Sequence, residues 1–335
     1  MYMILDCTLR DGGYINNWRF NNTFLNNFFK IMNRINIDYI EIGFINKKNN
    51  YRDKITGNIR SLSNHIINKI NAKKEGSVKL AAMADFSNIN LELLKKKINV
   101  DMIRIAFHKK DLIDSIKLCN KIKKMGYEVC ANAMAITNYS NNELKTLFNL
   151  INSSNIDYLY IADSYGSLTQ KELLSKINLF YKNLKNTKIG LHLHNNMNNA
   201  FSNFESISNN NKVNIIDTTL FGMGRGAGNL QTELVFCHLN PNYNIDILIE
   251  LLTFIQNFIK PFYKKEVNFW GYDIDYLLSG YLKMHPNYIA YMRDHNISMI
   301  NRFLLIKEIM KISKHNYFEK DIIQNLILQK NDILI

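Results

Sequence analysis

Two patterns alternate along the chain. Short apolar runs recur at Tyr2–Cys7, Ile37–Phe44, Lys79–Phe86, Asp101–Phe107, Glu128–Ile136, Ile156–Asp163, Lys188–His194 and Asn214–Phe221. Between them lie polar stretches whose apolar residues return every three or four positions, as in NNTFLNNFFKIMNRIN (21–36), KDLIDSIKLCNKIKKM (110–125), NNELKTLFNLINS (141–153) and QKELLSKINLFYKNL (170–184). An unbroken apolar run is how a strand buried on both faces reads, and the three-to-four spacing predicts amphipathic helices. Each helical stretch opens near an Asn, Asp, Ser or Thr, residues that cap free helical amides. Strand alternating with helix is the βα pattern. Eight such units within about 230 residues predict an α/β fold, a TIM (β/α)8 barrel, over residues 1–242. Residues 243–335 lose the alternation and read as helices, with apolar faces in IDILIELLTFIQNFI (245–259) and SMINRFLLIKEIMKI (298–312). No Pro-, Gly- or Ser-rich linker precedes them. They are expected to pack on the barrel as a cap or to form a dimer or partner interface.

Composition narrows the class. The 335 residues are 47% hydrophobic and 12% aromatic, a globular balance. Asn, Ile and Lys abound, as A/T-rich codons would give, which weakens the meaning of the +13 net charge. The lysine clusters Lys95-Lys96-Lys97 and Lys121 to Lys124 fall on predicted helices and read as solvated faces, so no nucleic-acid partner is expected. Cys7, Cys119, Cys130 and Cys237 lie far apart and read as reduced thiols. Asp6, Arg10 and Asp11 interrupt the first apolar stretch before a signal peptide could form. No stretch approaches the roughly 20 apolar residues of a membrane span. A cytoplasmic protein without membrane contact is expected.

The chemistry of a TIM barrel gathers at the C-terminal ends of its strands, and here those positions are unusually polar. The first strand runs into Arg10-Asp11-Gly12-Gly13, the second carries Glu41, the fourth Arg104 and His108, the fifth Asn132, and the sixth ends in Asp163-Ser164. The seventh carries His192 and His194, and the eighth is followed by GMGRGAGN, ending at Asn229. Residues two apart on a strand share a face, so both imidazoles should face the barrel mouth. Two histidines with a carboxylate from the first strand make a three-ligand divalent-metal site with positions left open for substrate. The mixed nitrogen and oxygen set suits Mn²⁺, Co²⁺, Fe²⁺ or Zn²⁺, and Mg²⁺ less well. A lone histidine would read as a core residue.

DCTLRDG at the first strand, HLH at the seventh and GMGRGAGN after the eighth, taken in order over residues 2–235, resemble the DRE-TIM metallolyase (HMGL-like) superfamily. Its members include hydroxymethylglutaryl-CoA lyase, the isopropylmalate and homocitrate synthases and the 4-hydroxy-2-oxoacid (oxovalerate) aldolases. The resemblance implies that Asp11, His192 and His194 bind the metal, that Asn229 completes the site, and that Arg10 stabilises the enolate of the substrate. An enolate needs a Lewis acid and a fixed cation beside it, and arginine stays charged and rigid.

The CoA lyases carry a cysteine in the glycine-rich loop, whereas FGMGRGAGNLQTE has none. The Claisen-type synthases, which condense an acyl-CoA with a 2-oxo acid, show a Gly-Glu-Arg loop and a long extension, so they are a less favoured alternative. The oxoacid aldolases have a comparable length and a C-terminal segment like FWGYDIDYLLSGYLKMHP (269–286), and IADSYG (161–166) resembles their Asp-Ser-Gly-Gly turn. The resemblance thus implies a metal-dependent aldolase, joining or parting the enolate of pyruvate, or of a similar 2-oxo acid, and an aldehyde. Glu41, Arg104, Asn132 and Ser164 are expected to bind substrate, with Ser164 on its carboxylate. One departure stands out: Tyr14 follows the Arg-Asp-Gly turn where the aldolases carry a histidine base. Tyr14, Tyr272, His285, Glu41 or a metal-held water is then left to move the proton. A Schiff-base lysine, for which Lys109 and Lys110 follow the fourth strand but start a solvent-facing helix, and a non-catalytic binding barrel are weaker readings. Mn²⁺ is the expected ion, with Co²⁺, Mg²⁺ or Zn²⁺ as alternatives, and a homodimer and an aldehyde dehydrogenase are the expected partners.

Overall fold

Eight parallel strands close on themselves in chain order: β1 (Met3–Asp6), β2 (Tyr39–Phe44), β3 (Lys79–Asp85), β4 (Met102–Phe107), β5 (Glu128–Ala133), β6 (Tyr158–Asp163), β7 (Lys188–Leu193) and β8 (Val213–Thr218). β8 returns beside β1, with Leu5 opposite Asp217 and Asp6 opposite Thr218. The computed structural model describes residues 2–47, 58–242, 244–263, 269–312, 315 and 317–329. Each apolar run contains its strand except the last, where β8 begins one residue before the run, at Val213. Most runs overshoot at the C-terminal end, where the chain turns away from the ladder. After β5, for example, Ala135 adopts φ 51° and a short 3₁₀ turn follows.

Every residue of β2, β4 and β6 is buried, because one face packs inside the barrel and the other under the helices. The interior layer holds Leu5, Cys7, Tyr39, Ala81, Met102, Cys130, Tyr158, Tyr160 and Ile215. At the N-terminal rim, the Tyr39 hydroxyl donates to Glu128 at 2.6 Å and Lys79 Nζ lies 3.2 Å from the same carboxylate, a polar plug. That end is closed, which leaves the opposite mouth for chemistry. The outer helices follow the expected spacing, including Asn22–Arg34, Leu112–Lys123, Asn141–Asn152 and Gln170–Asn183. Ser140 and Thr169 start the last two with capping boxes.

The expected domain break falls at residue 243, which lies outside the described residues. Beyond it, the helix Ile245–Phe254 packs on the outer wall, with Phe254 against Phe24 at 5.6 Å between ring centroids. The helices Ile274–Tyr281, Asn287–Asp294, Met299–Ile309 and Lys320–Gln329 build a core of their own around Tyr276, Met284, Tyr288, Met292, Leu305 and Ile309. Buried Asp275 pairs there with Arg293 and Arg302. This unit covers the C-terminal mouth of the barrel. Trp270 Nε1 donates to Phe221 O at 2.7 Å, Gly271 N to Ala227 O at 3.2 Å, and Tyr317 packs on His108. Among the described residues, no helix is long and apolar enough to cross a membrane.

Candidate active site

The turn after β1 is wound tightly. Cys7 O accepts from both Arg10 N at 3.0 Å and Asp11 N at 2.8 Å, which swings the two side chains over the barrel mouth. Gly12 and Gly13 are required by closeness rather than by an unusual backbone angle. Gly12 sits at an ordinary φ of −60°, but a Cβ there would lie 2.3 Å from Thr8 O, and one on Gly13 would enter the Trp18 ring.

Arg10 spans two carboxylates. Its Nη1 donates to Asp11 Oδ1 and its Nε to Glu41 Oε2, both at 2.6 Å. Asp11 Oδ2 accepts from Asn229 Nδ2 at 2.6 Å. His192 and His194 stand beside it, their rings 4.7 Å apart and nearly perpendicular. Asp11, His192 and His194 each offer a ligand atom within 4.8 Å of the others. Burial disfavours the Asp11 charge, but the Arg10 guanidinium beside it outweighs that cost and holds the carboxyl well below its ordinary range. For His194, burial, reinforced by His192, pushes the imidazole down to about 3, so the ring is neutral.

Both imidazoles are oriented from behind. Asp217 Oδ2 accepts from His192 Nδ1 at 2.8 Å, and the backbone oxygen of Asp163 accepts from His194 Nδ1 at 2.9 Å. With Nδ1 protonated on each ring, Nε2 carries the lone pair and has no protein partner among the described residues. Asn229 Oδ1 is likewise buried without a partner. Two free imidazole nitrogens, an ionised carboxylate and an orphaned amide oxygen are the donor set of a mixed nitrogen–oxygen divalent site, so the residues present fit a metal ion.

A second tier lies beneath. Arg104 is fully buried, with Nη1 3.0 Å from Glu41 Oε1 and Nη2 on Asp217, while the Tyr160 hydroxyl donates to Asp217 Oδ1 at 3.0 Å. Arg104 therefore reaches Glu41 and Asp217 rather than the open mouth, and Glu41 is held between two guanidiniums. Asp217 is the residue that inspection of the strand ends misses. Its signal was a lone acid within the apolar strand NIIDTTLF, in register with Ile215 on the inner face.

The remaining expected residues are placed as follows. Asn132 is buried on β5, with Nδ2 3.9 Å from Met83 Sδ and Oδ1 without a partner among the described residues. Ser164 Oγ accepts from Ala135 N at 3.0 Å, which leaves its own proton to donate. Tyr14 sits at the rim with its ring on Trp18 at 4.7 Å and the Arg225 guanidinium 5.2 Å away. Tyr272 is 62% exposed, and no contact among the described residues joins it to the cluster. His285 lies in the cap, its Nδ1 accepting from Asn287 N at 3.1 Å, which leaves it an Nε2–H donor when neutral. Burial, with Arg225 nearby, pushes it down to about 3.

The profile of the HMGL-like family matches residues 2–255, most of the chain and all eight strands. The protein belongs to the HMGL-like family. Among curated relatives, the 4-hydroxy-2-oxovalerate aldolase of Bacillus cereus is 23% identical over 267 residues, covering 77% of this chain and 76% of the relative. The enzyme of the same name from Geobacillus genomosp. 3 is 26% identical over 244 residues, or 71% and 70% of the two chains. Among solved structures, the N-terminal domain of a Bacteroides vulgatus protein provisionally called an aldolase is 30% identical, with a TM-score of 0.78, covering 90% of this chain and 99% of that one. In this HMGL-like barrel the loop between β8 and the helix Thr232–Leu239 contains no cysteine; Cys237 lies within that helix.

Proposed function

We propose that this HMGL-like protein is a divalent-metal-dependent aldolase, a carbon–carbon lyase that makes or breaks the bond between C3 of a 2-oxo acid and an aldehyde carbon. The observation that carries the reading is the Asp11–His192–His194 cluster with Arg10 bonded to it at the barrel mouth. The aldolase names of the relatives favour this reaction over a Claisen condensation.

Asp11, His192 and His194 would hold the ion, and Asn229 Oδ1 would complete the set. A divalent ion there supplies Lewis-acid polarisation of the 2-oxo carbonyl, worth several kcal/mol in such reactions. Arg10 keeps its charge because Glu41 and Asp11 outweigh the cost of burying it. It presents a fixed cation to the oxygen on which charge develops, and a preorganised donor of this kind contributes roughly 3 kcal/mol. Glu41, Arg104 and Asp217 are positioning residues in this reading, bracing Arg10 and His192 from below. The Ser164 hydroxyl and the Asn132 amide would take the substrate carboxylate.

In the condensing direction, C3 gives up a proton, bonds to the aldehyde carbon, and the aldehyde oxygen takes up a proton; cleavage is the reverse. Tyr14 is assigned as the proton carrier, since its ring is fixed between Trp18 and Arg225. Tyr272 stands further out. Manganese as the ion, a cytoplasmic setting, a homodimer and a dehydrogenase that receives the aldehyde complete the reading; metal analysis and co-purification test them.

The direct experiment is proton exchange. Pyruvate incubated in D₂O with the Mn²⁺-loaded protein should lose its methyl proton signal, and EDTA should stop the loss. Exchange with a longer 2-oxo acid alone would reassign the donor, whereas exchange with none would end the aldolase reading.

A further inference from the structure

The acceptor half of the reaction has so far been specified only as an aldehyde. Arg225 bears on it. The residue before it, Gly224, packs directly on the candidate metal ligands: a Cβ at Gly224 would lie 2.8 Å from Asp11 Oδ2 and 2.1 Å from Asn229 Nδ2. Arg225 thus leaves the chain at the edge of the site. Its guanidinium lies 5.2 Å from the Tyr14 ring centroid, and its Nη1 donates to Asn287 Oδ1 at 3.1 Å.

What Arg225 lacks is an acid. Among the described residues no carboxylate lies within ion-pair distance of it, although the other deep arginines are all matched. Arg10 has Asp11 and Glu41, Arg104 has Glu41 and Asp217, and Arg293 and Arg302 share Asp275. A second arginine, Arg60, faces the same Tyr14 ring at 5.8 Å. It is stacked on Trp18 and Phe44, also without a carboxylate among the described residues. The rim of the mouth therefore carries two guanidiniums without a direct carboxylate partner among the described residues, beside a cluster in which Asp11, Glu41 and Asp217 are already bonded to Arg10 and Arg104. A guanidinium fork matches a carboxylate or phosphate in geometry as well as charge. A small neutral aldehyde would leave it unanswered.

We propose that Arg225 binds an anionic group, a carboxylate or a phosphate, at the far end of the acceptor aldehyde, so that this enzyme discriminates in favour of anionic acceptors. The proposal rests on the aldolase reading. Asn287, in the cap, holds Arg225 through its Nη1, so the cap helps to select the acceptor, and Arg60 adds long-range attraction. Arg225 is a specificity residue: it grips the end of the acceptor that does not react.

The test uses matched acceptors with pyruvate as donor: glyceraldehyde 3-phosphate against glyceraldehyde, and succinic semialdehyde against butanal. The wild-type kcat/KM ratio of anionic to neutral acceptor should be roughly 10- to 100-fold, the value of a charge-assisted hydrogen bond. In R225M that ratio should collapse toward one, while R225K keeps part of it. The phosphate and carboxylate pairs separate the two sources of the anion. A second readout needs no turnover: glycerol 3-phosphate should bind the metal-free wild-type protein more tightly than R225M, with glycerol showing no difference. If the wild-type protein exchanges pyruvate protons but uses neutral acceptors as well as anionic ones, the acceptor proposal falls alone. An equal loss with both acceptor classes in R225M also overturns it. If no 2-oxo acid exchanges its protons, the aldolase reading has failed first.

Discussion

His192 and Asp217 face each other across β7 and β8, imidazole Nδ1 to carboxylate Oδ2 at 2.8 Å, and so fix which histidine nitrogen is free. Burial opposes the Asp217 charge, but Arg104 and His192 outweigh it and keep the carboxyl low, so it remains an acceptor. Asp217→Asn removes that anchor and leaves Arg104 short of a counter-charge. Mn²⁺ affinity should fall about 10- to 100-fold, as it does when such supporting partners are lost. Titration of the metal-free variant measures it, with circular dichroism to verify folding. Unchanged affinity would mean that the imidazole needs no such support.

Gly224 separates packing from chemistry. The Cβ of Gly224→Ala would fall 2.1 Å from Asn229 Nδ2 and 2.8 Å from Asp11 Oδ2, displacing both. The strands lie elsewhere, so thermal unfolding should shift little while metal binding is lost. A variant that binds Mn²⁺ normally would show that Asp11 and Asn229 are not where the ion sits.

Two tyrosines compete for the proton. Tyr14 is braced by Trp18, whereas Tyr272 is largely in solvent. Tyr14→Phe should slow pyruvate proton exchange by at least about 100-fold, the lower end for a positioned acid–base group. Tyr272→Phe should leave exchange within a factor of about three. The reverse outcome would transfer the role to the cap.

Away from the site, Glu233 gives a pH signature. Burial, with Asp6 adding to it, pushes its carboxyl from 4.5 up to about 7. Between those values the folded protein holds a proton that the unfolded chain has released. The stability from this group is therefore fully present below about 4.5 and is lost as pH rises through about 7. Glu233→Gln mimics the protonated form, so it should be more stable than wild type at pH 8, by as much as about 3 kcal/mol, and nearly equal to it at pH 4. Urea unfolding of the metal-free proteins at both values checks this. The same gain at both would show that the carboxyl does not titrate in that window.

Much of this was legible in the sequence because burial on both faces writes a strand as an unbroken apolar run, and eight such runs could be counted. The histidines at 192 and 194 announced themselves by their spacing, since two residues is the repeat of a strand. Depth was not legible. Arg104 reads as a strand-end cation, yet it lies one layer below the mouth, because a linear pattern does not tell how far along the barrel axis a side chain sits. Asp217 was hidden for the opposite reason, being a single acid inside an apolar run. Gly12 and Gly13 looked like turn formers, but their need is steric and comes from Thr8 and Trp18, a contact that only the folded chain makes. Tyr272 lies in an aromatic segment whose buried members include Trp270 and Tyr276, and composition alone did not distinguish them.

Anomalous scattering from a crystal grown with Mn²⁺ tests the central claim most directly. The account predicts a single strong peak within coordination distance of Asp11, His192 Nε2 and His194 Nε2. A peak instead on the neighbouring buried triad of Cys7, His192 and Asp217, or no peak near Asp11, would contradict it.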